Sequence, residues 1–452
     1  MSPDVRRKRR VLLATTAAGL LLTSCAGAGG SGTSGEDSIN VLMVNNPQMT
    51  QLQQLTDDHF TAETGIEVHF TVLPENEVRD KIGQDFANQS GQYDVATISN
   101  YETPIFARNN WLRPLDPYLA DDPDYAVDDI LEPIQTSLTG DDGQVYAQPF
   151  YGESSFLMYR TDVFEEHGLT MPERPTWTEV AELAAAVDGA EPEMKGICLR
   201  GLPGWGEVIA PLTTVVNTHG GTWFDADWEP RLNAPEFVEA TEFYVELVRE
   251  HGEAGAAQSG YAECLNNMVQ GNTAMWYDAT AGAGSLEAAD SPVRGNIGYV
   301  AAPVEVTDSS GWLYTWAWGI QRSSGNPDDA WEFISWASSA EYEELVGETL
   351  GWENAPAGKR ASTYENPRYQ EAAAAFYEVT RDAISEADPA SPGVQERPAP
   401  GVQFVGIPEF ADLGTGVSQE ISSAIAGQQS VQDALDAAQR MAETATERYR
   451  ER

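Results

Sequence analysis

Short apolar runs alternate with helix-length segments over residues 39–98, and that alternation limits the fold more than any other feature. The first run is Ile39-Asn40-Val41-Leu42-Met43-Val44. A segment over residues 49–64 follows, with Leu52, Leu55 and Phe60 on its apolar side and Gly65 at its end. The alternating run Val68-His69-Phe70-Thr71-Val72, a helix-length segment over 77–89 and the run Tyr93-Asp94-Val95-Ala96-Thr97-Ile98 complete the series. Strands separated by helices predict parallel βαβ units, and hence an α/β fold. In such sheets ligands bind beyond the carboxyl ends of the strands. Asn45 and Asn46 follow one predicted strand, and Asn100, Tyr101 and Glu102 follow another, so both groups are candidate ligand loops.

Later segments have readable helix starts. Thr176-Trp177-Thr178-Glu179 is a capping-box pattern before residues 180–187. Asn326-Pro327 places a cap residue and then Pro at the first helical position. That helix carries Trp331, Phe333, Ile334 and Trp336. Residues 430–452 read as an Ala-rich amphipathic helix, and Pro-rich 388–400 as a long loop. No repeat of solenoid period is present.

The front of the chain bears on compartment. Arg6, Arg7, Lys8, Arg9 and Arg10 precede the apolar run 11–22, which is shorter than the ~20 residues a spanning helix needs. Basic, apolar, then small residues is the order of a secretory signal. The run ends in Leu22-Thr23-Ser24-Cys25, which resembles a bacterial lipobox. The resemblance implies that residues 1–24 are removed and that the Cys25 thiol carries a lipid; the alternative is an ordinary cleaved signal with Cys25 incidental. Residues 25–37, rich in Gly and Ser, then read as a tether. The expected location is extracytoplasmic, lipid-anchored to the cell membrane, on its outer face or in a periplasm.

Seventy-one acidic residues oppose 26 basic ones, for a formal charge of −45. So negative a chain is excluded from nucleic acid and anionic surfaces. His59, His69, His167, His219 and His251 are scattered, none in metal-ligand spacing, and no cofactor or metal is expected. Beyond Cys25 only Cys198 and Cys264 remain. In an oxidising compartment they would form one disulfide if their Cα separation allows it, which the sequence leaves open.

Eight segments in order resemble the extracellular solute-binding proteins of ABC importers, of the maltose-binding type, and most of all the branch that binds mannitol, sorbitol and arabitol. They are Tyr101-Glu102-Thr103-Pro104-Ile105, Pro149-Phe150-Tyr151-Gly152-Glu153-Ser154-Ser155, Gly196-Ile197-Cys198-Leu199-Arg200-Gly201, Gly204-Trp205-Gly206-Glu207, Met275-Trp276-Tyr277-Asp278-Ala279-Thr280, Trp316-Ala317-Trp318, Gly351-Trp352-Glu353-Asn354, and the stretch 401–410. The resemblance runs from about residue 39 to the end of the chain. It implies a two-lobed clamp of the periplasmic-binding-protein (type II) kind, with crossings near Tyr151, Gly311 and Tyr364. The first lobe would be residues 38–150 plus 312–363, the second 151–311 plus 364–452. It also implies a monomer that binds a carbohydrate or polyol, delivers it to membrane permease subunits and catalyses nothing. One departure concerns the cysteines, because relatives tend to carry the second one nearer the Thr273 position.

A linear polyol is uncharged and offers C–H faces and many hydroxyls, so its site needs aromatic surface with fixed donors and acceptors. By the resemblance, Glu153 and Asp278 would accept from ligand hydroxyls, Arg200 and Asn354 would donate, and Trp205, Trp276, Trp316 and Trp352 would form walls. Tyr101, Glu102 and Tyr151 would line the first lobe and hinge, with Asn45 and Asn46 reaching the same cleft. Each has a plainer alternative: a lone Trp is often core, and Arg200 would otherwise merely neutralise local acid. Trp223, Trp228 and Trp331 are assigned to packing. Two other classes compete. A secreted glycosidase would use two carboxylates, but carboxylates are too numerous here for a pair to carry meaning. No G-x-S-x-G, H-E-x-x-H or P-loop pattern is present. A non-transport sugar sensor would share the clamp fold.

Overall fold

The computed structural model describes residues 38–450; Cys25, the signal and the tether lie outside them. Its eight strands are β1 (Ser38–Val44), β2 (Glu67–Leu73), β3 (Val95–Ser99), β4 (Gln148–Glu153), β5 (Ser155–Arg160), β6 (Met275–Ala279), β7 (Ile297–Ala301) and β8 (Tyr314–Ile320). They form a five-stranded sheet of order β2-β1-β3-β8-β4 and a three-stranded sheet of order β6-β5-β7. Strands β1, β2 and β3 are parallel, as the alternation of runs predicts, with Ser38 opposite Glu67 and Val44 opposite Leu73. The expectation of parallel pairing does not extend further. Strand β8 is antiparallel to both β3 and β4, and β5 is antiparallel to β6 and β7. The reason is connectivity. Strands β4 and β5 are separated by Ser154 alone, so the chain leaves one sheet and enters the other without a crossover helix. Strand β8 returns from the second sheet through residues 302–313 rather than through a βαβ unit.

Local signals act as their chemistry dictates. Asn46 caps the helix Pro47–Thr56, its side chain accepting from the Met49 N–H at 3.0 Å, with Pro47 at the first position. Helical geometry continues through a π turn to Gly65, which closes it at φ 80°. Thr176 and Glu179 form the capping box of helix Trp177–Val187. Asn326 differs: its side chain leaves helix Pro327–Ala337 uncapped and donates to the Ser38 carbonyl at 3.2 Å instead.

Helix Pro327–Ala337 packs on β1, β4 and β8. There Phe333 meets Trp318 at 5.7 Å and Phe60 at 5.5 Å between ring centroids. All seven residues of β8 are buried, as a strand covered on both faces requires. Around the smaller sheet, Ile209–Thr218 is buried at every residue and packs with helices Pro235–His251 and Phe410–Ile425. Trp223 and Trp331 are core, and Trp228 stacks on Tyr449 at 4.3 Å. Among the described residues no helix is long and apolar enough to cross a membrane.

Two contacts brace the framework around the two sheets. Gly152 and Gly358 meet backbone to backbone, Gly358 at φ 83°, and a Cβ on either would overlap the other's carbonyl. Cys198 and Cys264 are bonded, their Cα atoms 5.6 Å apart. Cys198 bridges in parallel to Trp276, continuing the edge of β6, while Thr273 bridges to Lys195 in the same direction. Helix Tyr261–Val269 is thereby tied to β6. The bond closes a sequence separation of 66 residues, which predicts that Cys264→Ser lowers unfolding stability by about 2–4 kcal/mol. Urea denaturation with and without reductant checks this; reductant has no further effect on the variant.

Candidate ligand-binding site

A cavity of about 280 Å³ lies between the carboxyl ends of β1 and β2, the β4 and β8 pair, the loop 200–207 and the start of helix Tyr261–Val269. That is near the low end of small-molecule pockets, ~300–1,000 Å³. On the first side, Asn45 and Asn46 follow β1. Asn46 Nδ2 donates to Tyr151 Oη at 3.0 Å, so its amide holds both a helix cap and a cavity wall. Glu75 and Arg79 follow β2, one turn apart on helix Glu75–Asn88. Arg79 Nη2 donates to Glu75 Oε1 at 2.8 Å and Nη1 to Glu102 Oε1 at 3.1 Å, and Arg79 also bonds the Tyr314 hydroxyl. Its guanidinium lies over the Trp205 ring at 4.1 Å and the Trp316 ring at 4.7 Å. Burial opposes the charge on Arg79, but Tyr314, Glu102 and Glu75 outweigh it and raise its pKa well above the usual arginine value.

On the second side, Arg200 makes a bidentate pair with Asp278, Nε to Oδ2 at 2.8 Å and Nη2 to Oδ1 at 2.5 Å. Its Nη1 donates to the Gly206 carbonyl at 2.7 Å and approaches Glu207 Oε2 at 3.6 Å. Glu207 accepts from the Tyr261 N–H at 3.1 Å. Glu153 closes β4 and borders the cavity, 6 % exposed. Burial raises its carboxyl from 4.5 to about 8, with Asp278 and Glu75 adding to the shift and Arg200 and Arg79 opposing it. Glu207 is raised for the same first reason, with Glu75 adding and Arg200 opposing. Two buried atoms of lining residues, Trp312 Nε1 and Gln403 Oε1, have no hydrogen-bond partner among the described residues.

Of the residues expected at the site, Asn45, Asn46, Tyr151, Glu153, Arg200, Trp205 and Trp316 line the cavity. The others lie behind it or apart from it. Tyr101 stacks behind Trp205 at 4.6 Å, and its hydroxyl is held by the Ile407 carbonyl and the Ala411 N–H. Glu102 is occupied by Arg79 and by the Ser99 N–H and hydroxyl. Trp276 and Asp278 share the face of β6 that meets Arg200, and both are fully buried. Trp276 Nε1 donates to Asp278 Oδ2 at 3.1 Å, so the Asp278 oxygens that were expected to receive ligand hydroxyls are taken. Trp352 packs on Gly347. Asn354 accepts from Gln51 Nε2 at 3.2 Å and donates to the Leu350 carbonyl.

Sequence reasoning passed over Glu75, Arg79, Glu207, Tyr261, Trp312, Tyr314 and Gln403, all of which line the cavity. The rule that selected Asn45 and Asn46 after β1 also selects Glu75 and Arg79 after β2. Trp312, Tyr314 and Trp316 are spaced by two, so an extended chain puts them on one face.

Two α/β lobes closed on a cavity of aromatic rings and fixed polar groups define a receptor for a small solute. The chain matches the model of the bacterial extracellular solute-binding protein family over residues 45–344, and it belongs to that family. It is 39% identical to the mannitol-binding protein of Pseudomonas aeruginosa over 407 residues, 90% of this chain and 92% of that one. It is 43% identical, with a TM-score of 0.88, to the ABC transporter solute-binding protein of Agrobacterium vitis S4 solved with bound D-mannitol, covering 91% of this chain and 98% of that one. The Agrobacterium radiobacter K84 solute-binding protein solved with ribitol shares the fold at a TM-score of 0.80 and 24% identity, covering 90% of this chain and 98% of that one.

Two outcomes follow from the site's electrostatics. Glu153 binds its proton more tightly folded than unfolded, so its contribution to stability is complete below pH 4.5 and lost as pH rises through about 8. Glu153→Gln is therefore expected to melt increasingly above the wild type as unliganded protein is taken from about pH 5 to about pH 8. Asp278→Ala leaves the Arg200 guanidinium buried without its partner, and is expected to lose about 3–5 kcal/mol of stability by chemical denaturation.

Proposed function

We propose that this protein captures a linear sugar alcohol, mannitol or a close relative, in the cavity and delivers it unchanged to the permease of an ABC importer. The observation that supports this most is the make-up of the wall: aromatic rings of Trp205, Trp312 and Trp316 beside the polar ends of Glu153, Glu207, Arg200 and Gln403. Ring faces suit the C–H edges of a polyol, and fixed donors and acceptors make hydrogen bonds to its hydroxyls. The mannitol-binding relative and the solute-binding protein solved with bound D-mannitol agree with that chemistry.

The lobes are taken as residues 38–150 plus 312–363 and residues 151–311 plus 364–452. Asn45, Asn46, Glu75, Arg79, Tyr151 and Trp316 act from the first lobe and its hinge. Glu153 acts from the end of β4 at the hinge, and Arg200, Trp205, Glu207 and Tyr261 act from the second lobe. Tyr101, Glu102, Trp276 and Asp278 hold those groups in place, and Trp352 and Asn354 brace the first lobe where Gln51 reaches Asn354. A ligand that touches both lobes binds the closed form better than the open one and shifts the population toward it. The closed form docks on the permease. Cys25 carries the lipid that keeps the receptor at the membrane, and the receptor works as a monomer with no catalytic step of its own.

Calorimetry of residues 37–452 against mannitol, sorbitol, arabitol, glucose and maltose tests this. The expected outcome is one-to-one binding of a polyol recovered unchanged, weakened by at least about tenfold in Glu153→Ala. Binding of maltose alone, or conversion of any compound, contradicts the reading.

A further inference from the structure

Two guanidiniums, Arg79 and Arg200, lie among six carboxylates at or just behind the cavity wall: Glu75, Glu102, Glu153, Glu207, Glu263 and Asp278. Arg79 is bonded to Glu75 and Glu102. Arg200 is bonded to Asp278, with Glu207 3.6 Å away. Glu153 differs from the rest. It is 6 % exposed and borders the cavity, and among the described residues no hydrogen bond or ion pair reaches its carboxylate. The charged groups that act most on it are Arg200 from its loop, Asp278 from β6, and Glu75 and Arg79 from the helix after β2; Glu207 from the same loop as Arg200 and Glu263 from helix Tyr261–Val269 line the same cavity. Tyr151 and Tyr261 face it as neutral hydroxyls, since burial raises both. The unpartnered Glu153 carboxyl therefore lies where a ligand would sit, and ionising it places a negative charge there. A buried carboxylate with no partner is stabilised by a proton or by a cation, and a second anion beside it is strongly disfavoured.

We propose that the ligands of this cavity include linear polyols bearing one ammonium group, seated on the Glu153 carboxylate, and that sugars bearing a carboxylate or phosphate are excluded. This rests on the polyol reading above and narrows it by charge. Seating the ammonium requires Glu153 ionised. Burial keeps Glu153 protonated up to about pH 8, so near neutral pH its proton passes to solvent as the ligand enters, and the ammonium keeps its own.

The test is calorimetry of residues 37–452 with mannitol, 1-amino-1-deoxymannitol and mannonate, near neutral pH in two buffers of different ionisation heat. The amine is expected to bind at least as tightly as mannitol with release of about one proton, and mannonate at least about a hundredfold more weakly. Glu153→Gln, checked for folding by its melting curve, is expected to lower the amine-to-mannitol affinity ratio by about tenfold or more. An amine that binds more weakly than mannitol, releases no proton or keeps its ratio in Glu153→Gln overturns the ammonium seat and leaves the neutral-polyol reading standing. Amine binding without mannitol binding supports the seat and overturns that reading. Failure of all three compounds to bind overturns both.

Discussion

The buried pair between Arg200 and Asp278 is the interaction on which the cavity depends. Asp278 belongs to β6 and is fully buried, and Arg200 belongs to the loop that passes beneath the cavity. Their two parallel hydrogen bonds set the plane of the guanidinium, and another of its N–H groups holds the Gly206 carbonyl. Buried ion pairs add little net stability, because desolvation cancels much of the attraction, but they are costly to break. The pair is therefore better understood as a positioning device than as a source of stability. The disulfide acts on the same region. It joins Cys198, two residues before Arg200, to the helix whose first residue is Tyr261. Loop, helix and β6 are thus tied to one another around one side of the cavity.

Arg79 performs the matching task on the other side, held by Glu75, Glu102 and Tyr314 while it covers the rings of Trp205 and Trp316. Each guanidinium has carboxylate partners within the protein, so a neutral polyol does not have to supply a counter-charge. Its hydroxyls would be read by donors and acceptors whose directions are already set, which limits the entropy lost on binding.

The sequence made the first half of the larger sheet legible because β1 to β3 are local units with clear apolar runs and glycine or proline ends. It did not reveal the antiparallel setting of β8, since that depends on how a strand more than two hundred residues later returns. The site was legible by the same division. Residues that follow a strand directly, such as Asn45 and Asn46, could be chosen from position, and Glu153 and Trp205 from motif. Asp278 and Trp276 were read as ligand contacts because their motif lies near the site, but only the position of Arg200 shows that it intervenes. Arg79 escaped attention because its partners Glu102, Tyr314 and Trp205 are distant in sequence, although its spacing from Glu75 and its place after β2 were visible signals. The Cys198–Cys264 bond needed a Cα separation that no spacing in the chain supplies.

The most direct test of this account is a crystal structure of residues 37–452 grown with mannitol. The account predicts one ligand inside the cavity, its carbon chain against Trp205, Trp312 or Trp316 and its hydroxyls on Glu153, Glu207 and Arg200, with Asp278 still paired to Arg200 and out of reach. A ligand bonded to Asp278 or Asn354, or bound outside the cavity altogether, would contradict it.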